Sequence, residues 1–334
     1  MKRPTAGIAA LLQVTRLALV FAGVSNVWMI VLFTKAAETG EPGTAALDRL
    51  TTPIALLLAM GVTIGLHIFG ATLNDVLDAR HDRMFDPTRP IPAGRFSPAR
   101  AVVLSSAALL IAIVCAVPFG TTATVVCLIC AAAVLFYDAV GKHFPAAGVI
   151  TLGLIRAGHM FVPNPDLVFC WPVWLSMTHI IGISAAAYVL EHKRPKLTGL
   201  HLWALIAGWA FWSLVLIGWM LYRRGLLVHD APLIWLGPIA AAAGFALLAG
   251  WRLPKVPRGR DAGRELMRMG WLWLIVYDAA WLGGAGLWWS ALTVALLLPA
   301  AIGLMAITQW LSERPTNDEG SYRVSSSPAG RTSL

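Results

Sequence analysis

Apolar residues along this chain arrive in blocks of roughly 17 to 22, the length at which a helix crosses a hydrocarbon core. The blocks at 14–34, 53–73, 101–118, 121–137, 146–163, 172–190, 200–221, 232–250, 267–285 and 288–311 predict nine to ten transmembrane helices. The count turns on the last pair, where Gly283, Gly284 and Gly286 mark either a turn between two spans or a kink in a re-entrant structure. Met1-Lys2-Arg3 before the first block mimics a signal peptide, but Arg16 interrupts that block and no small-residue cleavage site follows. An uncleaved first span is expected. The expectation is an all-α, polytopic membrane helical bundle over residues 1–311. The Ser-, Pro-, Gly- and charge-rich stretch 312–334 is expected to be a disordered cytoplasmic tail.

Composition agrees with that pattern. The 334 residues are 58% hydrophobic and 13% charged, against about 25% charged in soluble domains. The net charge of +9 is explained by topology. With the N-terminus inside, Lys35, Arg49, Arg223 and Arg224 fall in outer connections and Arg156 lies within a span, while the remaining Lys and Arg collect on the inner side. A multi-pass cell-membrane protein touching anionic lipid follows, and no nucleic-acid partner is needed. Apart from Trp28, every Trp lies at or beyond Trp171, several near span ends as interfacial anchors. Cys127 and Cys130 form a CxxC inside an apolar run, which reads as buried thiols. His67, His143, His159 and His179 show no mutual ligand spacing, so no transition-metal site is expected.

The second block ends in acid. It runs IFGATLNDVLDARHDRMFD, with Asn74, Asp75, Asp78 and Asp82 at the cytoplasmic boundary. Each carboxylate near the membrane costs about 3 kcal/mol, so a cluster needs cations or a water-filled cavity. Asn74, Asp78 and Asp82 follow i, i+4, i+8 and stack on one face if the helix continues. A row of hard oxygen ligands suits Mg²⁺ when it also holds substrate phosphates. The alternative is a solvated helix end whose aspartates offset Arg80 and Arg83. In the next loop, DPTRPIPAGRFSPARA, Pro87, Pro90, Pro92 and Gly94 stiffen the path, and Arg89 and Arg95 are either bidentate phosphate donors or topology-setting charges.

Asn74-Asp75-x-x-Asp78-x-x-x-Asp82 followed by Arg89-Pro90-Ile91-Pro92-Ala93-Gly94-Arg95 resembles the first aspartate-rich motif and loop of the UbiA superfamily of intramembrane prenyltransferases. Phe136-Tyr137-Asp138-x-x-Gly141-Lys142 and Gly153-Leu154-Ile155-Arg156-Ala157 resemble later family signatures, in the same order, and the resemblance covers about residues 10–300. It implies a helical bundle around a cavity open sideways to lipid, in which a prenyl group passes from a prenyl diphosphate to an aromatic or other lipophilic acceptor with Mg²⁺. Asn74, Asp78 and Asp82 would match metal and diphosphate ligands, with Asp75 behind them. Tyr137, Asp138 and Lys142 would serve the diphosphate, alongside Arg89 and Arg95. Lys142 has a second reading as a topology anchor. Arg156, an intramembrane charge, would face the cavity and need a polar partner. Asn26 would face the same cavity or satisfy interhelical packing, and the buried acid Asp278 would pair with an Arg or serve the acceptor.

The sequence departs from the family at its second aspartate-rich motif. The corresponding stretch, Ala187-Tyr188-Val189-Leu190-Glu191-His192-Lys193-Arg194-Pro195-Lys196, keeps one carboxylate, Glu191, as a candidate metal ligand among cations that would compete with the metal. A one-metal or cation-assisted site is the inference, and the departure resembles the EboC-like branch. A second reading is a non-catalytic scaffold that binds or transports an isoprenoid or other lipid. A third, a CDP-alcohol phosphotransferase, expects a D-x-x-D-G-x-x-A-R pattern that fails here at Ala79.

Overall fold

The computed structural model describes residues 4–225 and 232–313, and those residues are helical with no strands. In chain order the main helices are α1 (Pro4–Thr15), α2 (Val20–Lys35), α3 (Thr52–Leu77), α4 (Ala79–Phe85), α5 (Pro98–Ala116), α6 (Thr121–Ala139) and α7 (Pro145–Met160). They continue with α8 (Trp171–Leu190), α9 (Gly199–Tyr222), α10 (Leu236–Arg252), α11 (Arg260–Gly284), α12 (Trp288–Ala295) and α13 (Leu297–Glu313). Among the described residues, 8 spans are long and apolar enough to cross a membrane. Two more expected blocks are also helical: α7, whose 16 residues reach about 24 Å, and α11, whose first turns are charged. The tail expected at 312–334 lies, beyond Glu313, outside the described residues.

Three boundaries differ from the hydropathy blocks. The first block breaks at Arg16, which adopts a left-handed φ of 47° between α1 and a 3-10 turn at Leu17–Leu19, so the apolar run is two helices. The second runs on to Leu77, carrying Asn74 and Asp75 inside α3. The last is split at Leu296, because Pro299 has no N–H to donate to Ala295. A turn at Ala285–Leu287 separates α11 from α12, so the glycine cluster lies at a connection between two helices.

Two apolar cores share α2. One lies between α2, α7, α8 and α11, around Met29, Phe33, Met177, Leu274 and Trp281. The other lies between α2, α3, α5 and α6, where Ala55, Ala59, Ala108, Ala112 and Ala116 permit close backbones. Gly65 is a point of close backbone approach on that face, since a Cβ there would stand 2.5 Å from the Ala108 carbonyl oxygen. Cys127 and Cys130 are buried free thiols. Leu57, Val103, Leu214 and Ile239 are exposed on the outer faces, where lipid would cover them.

The two cores are closed at the end away from the acidic row by a polar clasp. Glu41 in the α2–α3 connection accepts from the Val168 and Phe169 N–H groups (2.5 and 3.1 Å). Asn164 donates to Thr34 Oγ1 and the Pro42 carbonyl (3.1 and 2.9 Å). Burial holds the Glu41 carboxyl above its ordinary pKa, although both N–H groups pull it down.

Candidate active site

The acidic row keeps helical hydrogen bonding past the end of α3. Asp78 N–H donates to Asn74 O (2.9 Å), Asp82 N–H to Asp78 O (2.8 Å) and Asp86 N–H to Asp82 O (2.8 Å). The expected i, i+4, i+8 alignment therefore persists across the bend at Asp78. The side chains divide into two sets. Arg16 donates to Asp75 (2.8 Å), and Arg89 reaches Asp82 at 2.7 Å, Asp75 at 3.5 Å and Asp86 at 3.6 Å. Lys142, in the turn after α6, lies 2.5 Å from Asp78. With its amide nitrogen turned toward acceptors, Asn74 donates to Asp138 and Asp78 (3.3 and 3.2 Å). Asp138 Oδ2 is buried beside them without a hydrogen-bond partner among the described residues.

Of these groups Arg16, Asn74 and Asp138, together with Tyr137, line one end of a cavity of about 670 Å³. Glu191, Arg264 and Arg268 line the same cavity. Glu191 closes α8 and is held by Lys193 at 3.1 Å. Arg268 pairs with Glu265 at 2.6 Å, and Arg264 lies 3.8 Å from Asp86. Farther along the same cavity lie Thr63 and His67 on α3, about 16 and 10 Å from Asn74 by helical rise, and Arg156 and His159 on α7. Thr63 and His159 are bonded at 2.8 Å.

Arg156 is held from behind. Its Nη1 donates to Asn26 Oδ1 (3.1 Å), and Asn26 Nδ2 donates to both Asp278 oxygens (2.8 and 3.0 Å). Ser25 Oγ adds a 2.6 Å bond to Asp278, and the guanidinium lies 4.4 Å from the Trp271 ring centre. Gly23 makes room for this arrangement: a Cβ there would come within 2.7 Å of Thr63 and 3.2 Å of Arg156.

Of the expected site residues, Asn74, Tyr137, Asp138, Arg156 and Glu191 line the cavity, Asp75, Asp78, Asp82, Arg89 and Lys142 are tied into the ion-paired row beside it, and two stand apart. Asn26 is fully buried behind Arg156 and is not part of the cavity wall. Arg95 is exposed and donates to the Thr88 carbonyl within its own loop, because the turn after Pro90 folds its side chain back. Residues missed from sequence are Arg16, Thr63, His67, His159, Trp271, Arg264 and Arg268. The signals were present: Thr63 and His67 are polar at i, i+4 within an apolar span, and His159 follows Arg156 at i+3.

Among the described residues no three His, Cys, Asp or Glu side chains group as a metal cage. Mg²⁺ is commonly held by one or two carboxylates with substrate phosphates completing its shell. Asp78 and Asp82, with the amide of Asn74 and the unpartnered oxygen of Asp138 nearby, fit that partial role. The Glu191 wall offers one carboxylate against Lys193, Arg264 and Arg268 and does not fit a second ion.

Residues 27–269 match the UbiA prenyltransferase family model. A digeranylgeranylglyceryl phosphate synthase of Sulfurisphaera tokodaii is 36% identical over 144 residues, 43% of this chain and 51% of that protein, so the chain spans about half the length of this curated relative. Among solved structures, one described as giving structural and mechanistic insights into digeranylgeranylglyceryl phosphate synthase in membranes superposes with a TM-score of 0.55 at 16% identity, covering 84% of this chain and 98% of that one. A UbiA homologue from Archaeoglobus fulgidus gives 0.51 at 13% identity, covering 81% and 99%. Both likenesses are of fold.

Proposed function

The chain belongs to the UbiA prenyltransferase family, and from that premise we propose that it transfers a prenyl group from a prenyl diphosphate to a lipophilic acceptor inside the membrane, with Mg²⁺ and release of diphosphate. The observation that carries the reading is one apolar-walled cavity with paired acids and cations at one end and a braced Arg156 deep within it. In this reading the row end of the cavity faces the cytoplasm, where the Lys- and Arg-rich connections gather.

Asp78 and Asp82 would hold the metal, with Asn74 and Asp138 supporting them. Mg²⁺, when bound, would neutralise the leaving diphosphate. Lys142 and Arg16, already within bonding distance of the row, would turn toward phosphate oxygens. Arg264 and Arg268 on the cavity wall, with Lys193 held at Glu191, would take the charge that a second ion meets elsewhere, which makes this a one-metal, cation-assisted site. Walls of Leu66, Val134 and Leu152 would exclude water from the allylic carbon as its bond to oxygen breaks.

Membranes or purified protein given prenyl diphosphates, Mg²⁺ and an acceptor panel should release diphosphate, and Asp78→Ala or Asp82→Ala should abolish release. Unchanged turnover in both variants would refute the reading. One observation favours a second reading, a non-catalytic lipid-binding or transporting protein: Asp78 and Glu191 are each already paired with a lysine. Diphosphate binding that is equal with and without Mg²⁺, with no turnover across acceptors, would support it.

A further inference from the structure

Beside the main cavity lies a smaller one of about 80 Å³, between the start of α7, the last turns of α8 and Met267 of α11. Tyr137, Leu152 and Met267 line both cavities, and no residue of the acidic row lines the smaller one. Lys142 and Lys193 both line it, and none of its lining residues is acidic. Each ammonium has three N–H donors and one ion pair among the described residues, to Asp78 and to Glu191 respectively. Donors therefore remain for a further oxygen. Ser184 lines the same pocket at 6% exposure, and among the described residues its hydroxyl donates only across 4.0 Å to Met267 Sδ, a weak acceptor. Pro145 and Gly148 bring in the N-terminus of α7, a 16-residue helix, with its partial positive charge. Gly148 lets the turn that carries Lys142 lie directly on α7, since a Cβ there would stand 2.7 Å from the Gly141 carbonyl oxygen and 3.3 Å from Lys142 Cα.

We propose that this side pocket is an oxyanion site separate from the acidic row, holding one phosphate group between Lys142, Lys193 and Ser184. The ligand chemistry is a tetrahedral phosphate, supplied either as free orthophosphate or as one end of inorganic diphosphate. Size selects a small ion. One water needs about 10–15 Å³ of such space, so the pocket has room for a phosphate group with a few waters and none for a prenyl tail. Charge selects an anion, because two ammonium groups, a helix N-terminus and a buried hydroxyl meet there with no carboxylate in the lining. The site does not depend on prenyl transfer.

The test is calorimetric binding of orthophosphate to the full chain in nanodiscs of zwitterionic lipid, without Mg²⁺, against empty nanodiscs. Wild type should bind one phosphate saturably in the millimolar range. Lys193→Gln should weaken binding by about tenfold or more, the effect of losing a charged donor. Ser184→Val should weaken it as well, while Lys196→Gln, exposed in the same connection and outside the pocket, should leave it unchanged. Absence of saturable binding in wild type would overturn the proposal, and this arm needs no variant to fold. Binding unmoved by both Lys193→Gln and Ser184→Val would overturn it too. So would a loss in Arg264→Gln as large as in Lys193→Gln, which would put the anion in the main cavity. Competition in wild type tells the two sources apart: diphosphate that displaces orthophosphate at equal concentration assigns the pocket to one end of diphosphate, and orthophosphate that stays bound assigns it to the free ion. No prenyl donor or acceptor is present, so a failure of the transfer reading would leave this result standing.

Discussion

Lys142 Nζ lies 2.5 Å from Asp78 Oδ1, so a cation suited to a diphosphate already occupies a carboxylate suited to a metal. Substrate would have to exchange these partners. Lys142→Met should lower turnover by about 100-fold, the order seen when one donor to a developing charge is removed. The same change frees Asp78, so half-saturation by Mg²⁺ should move to lower concentration. A Mg²⁺ titration at fixed prenyl diphosphate reads both effects, and an unchanged half-saturation point would show that the pair does not compete with the metal.

Arg89 ties the loop after α4 to three aspartates. Asp75 and Asp82 are buried, so Arg89→Ala leaves their charges short of a donor. The expected loss is about 1–3 kcal/mol, read as a lower unfolding midpoint in detergent. Arg95→Ala, which removes only an exposed contact, should leave the midpoint almost unchanged. Equal effects of the two would contradict the pairing described.

Gly65→Val should weaken the α3–α5 contact by about 1–3 kcal/mol. The added atoms meet the Ala108 carbonyl and the Ala112 backbone nitrogen, and neither can rotate away. Gly182→Ala has open space and serves as the control that should be tolerated. Thermal unfolding of the pair separates close packing from a general intolerance of side chains at helical glycines.

Glu41 gives a pH dependence with a defined sign. Its carboxyl pKa is raised in the folded state by burial. Its contribution to stability is therefore fully present below the ordinary value of 4.5 and lost as pH rises through the raised folded value. Glu41→Gln cannot ionise. The midpoint of the variant minus that of wild type should grow as pH rises from 4.5 and then level off. A difference that is flat or falls across that range would contradict the assignment.

Much of this was legible in the chain because the bilayer makes exceptions expensive. Ten apolar blocks correspond to helical segments, and the row from Asn74 to Asp82 stood out because an apolar helix rarely ends in clustered acid. What sequence left open was partnership. Asn26 was expected at the cavity or in packing, and which of the two depended on Arg156, 130 positions away. Arg16 was read as a topology charge, but the backbone break it occupies sends it to Asp75. Arg95 was grouped with Arg89 by motif, yet a turn separates their fates. Local pattern identifies the helices and the costly residues, while long-range geometry decides which cation meets which acid.

The Ser25–Asn26–Asp278–Arg156 cluster also bears on how the molecule is made. Its members lie on α2, α7 and α11, and Asn26 and Asp278 are 252 positions apart. During synthesis α7 enters the bilayer carrying a charge whose counterpart has not yet been translated, at a penalty of about 3 kcal/mol. The early helices therefore cannot reach their final energy until α11 arrives and Asp278 meets Ser25 and Asn26 of α2.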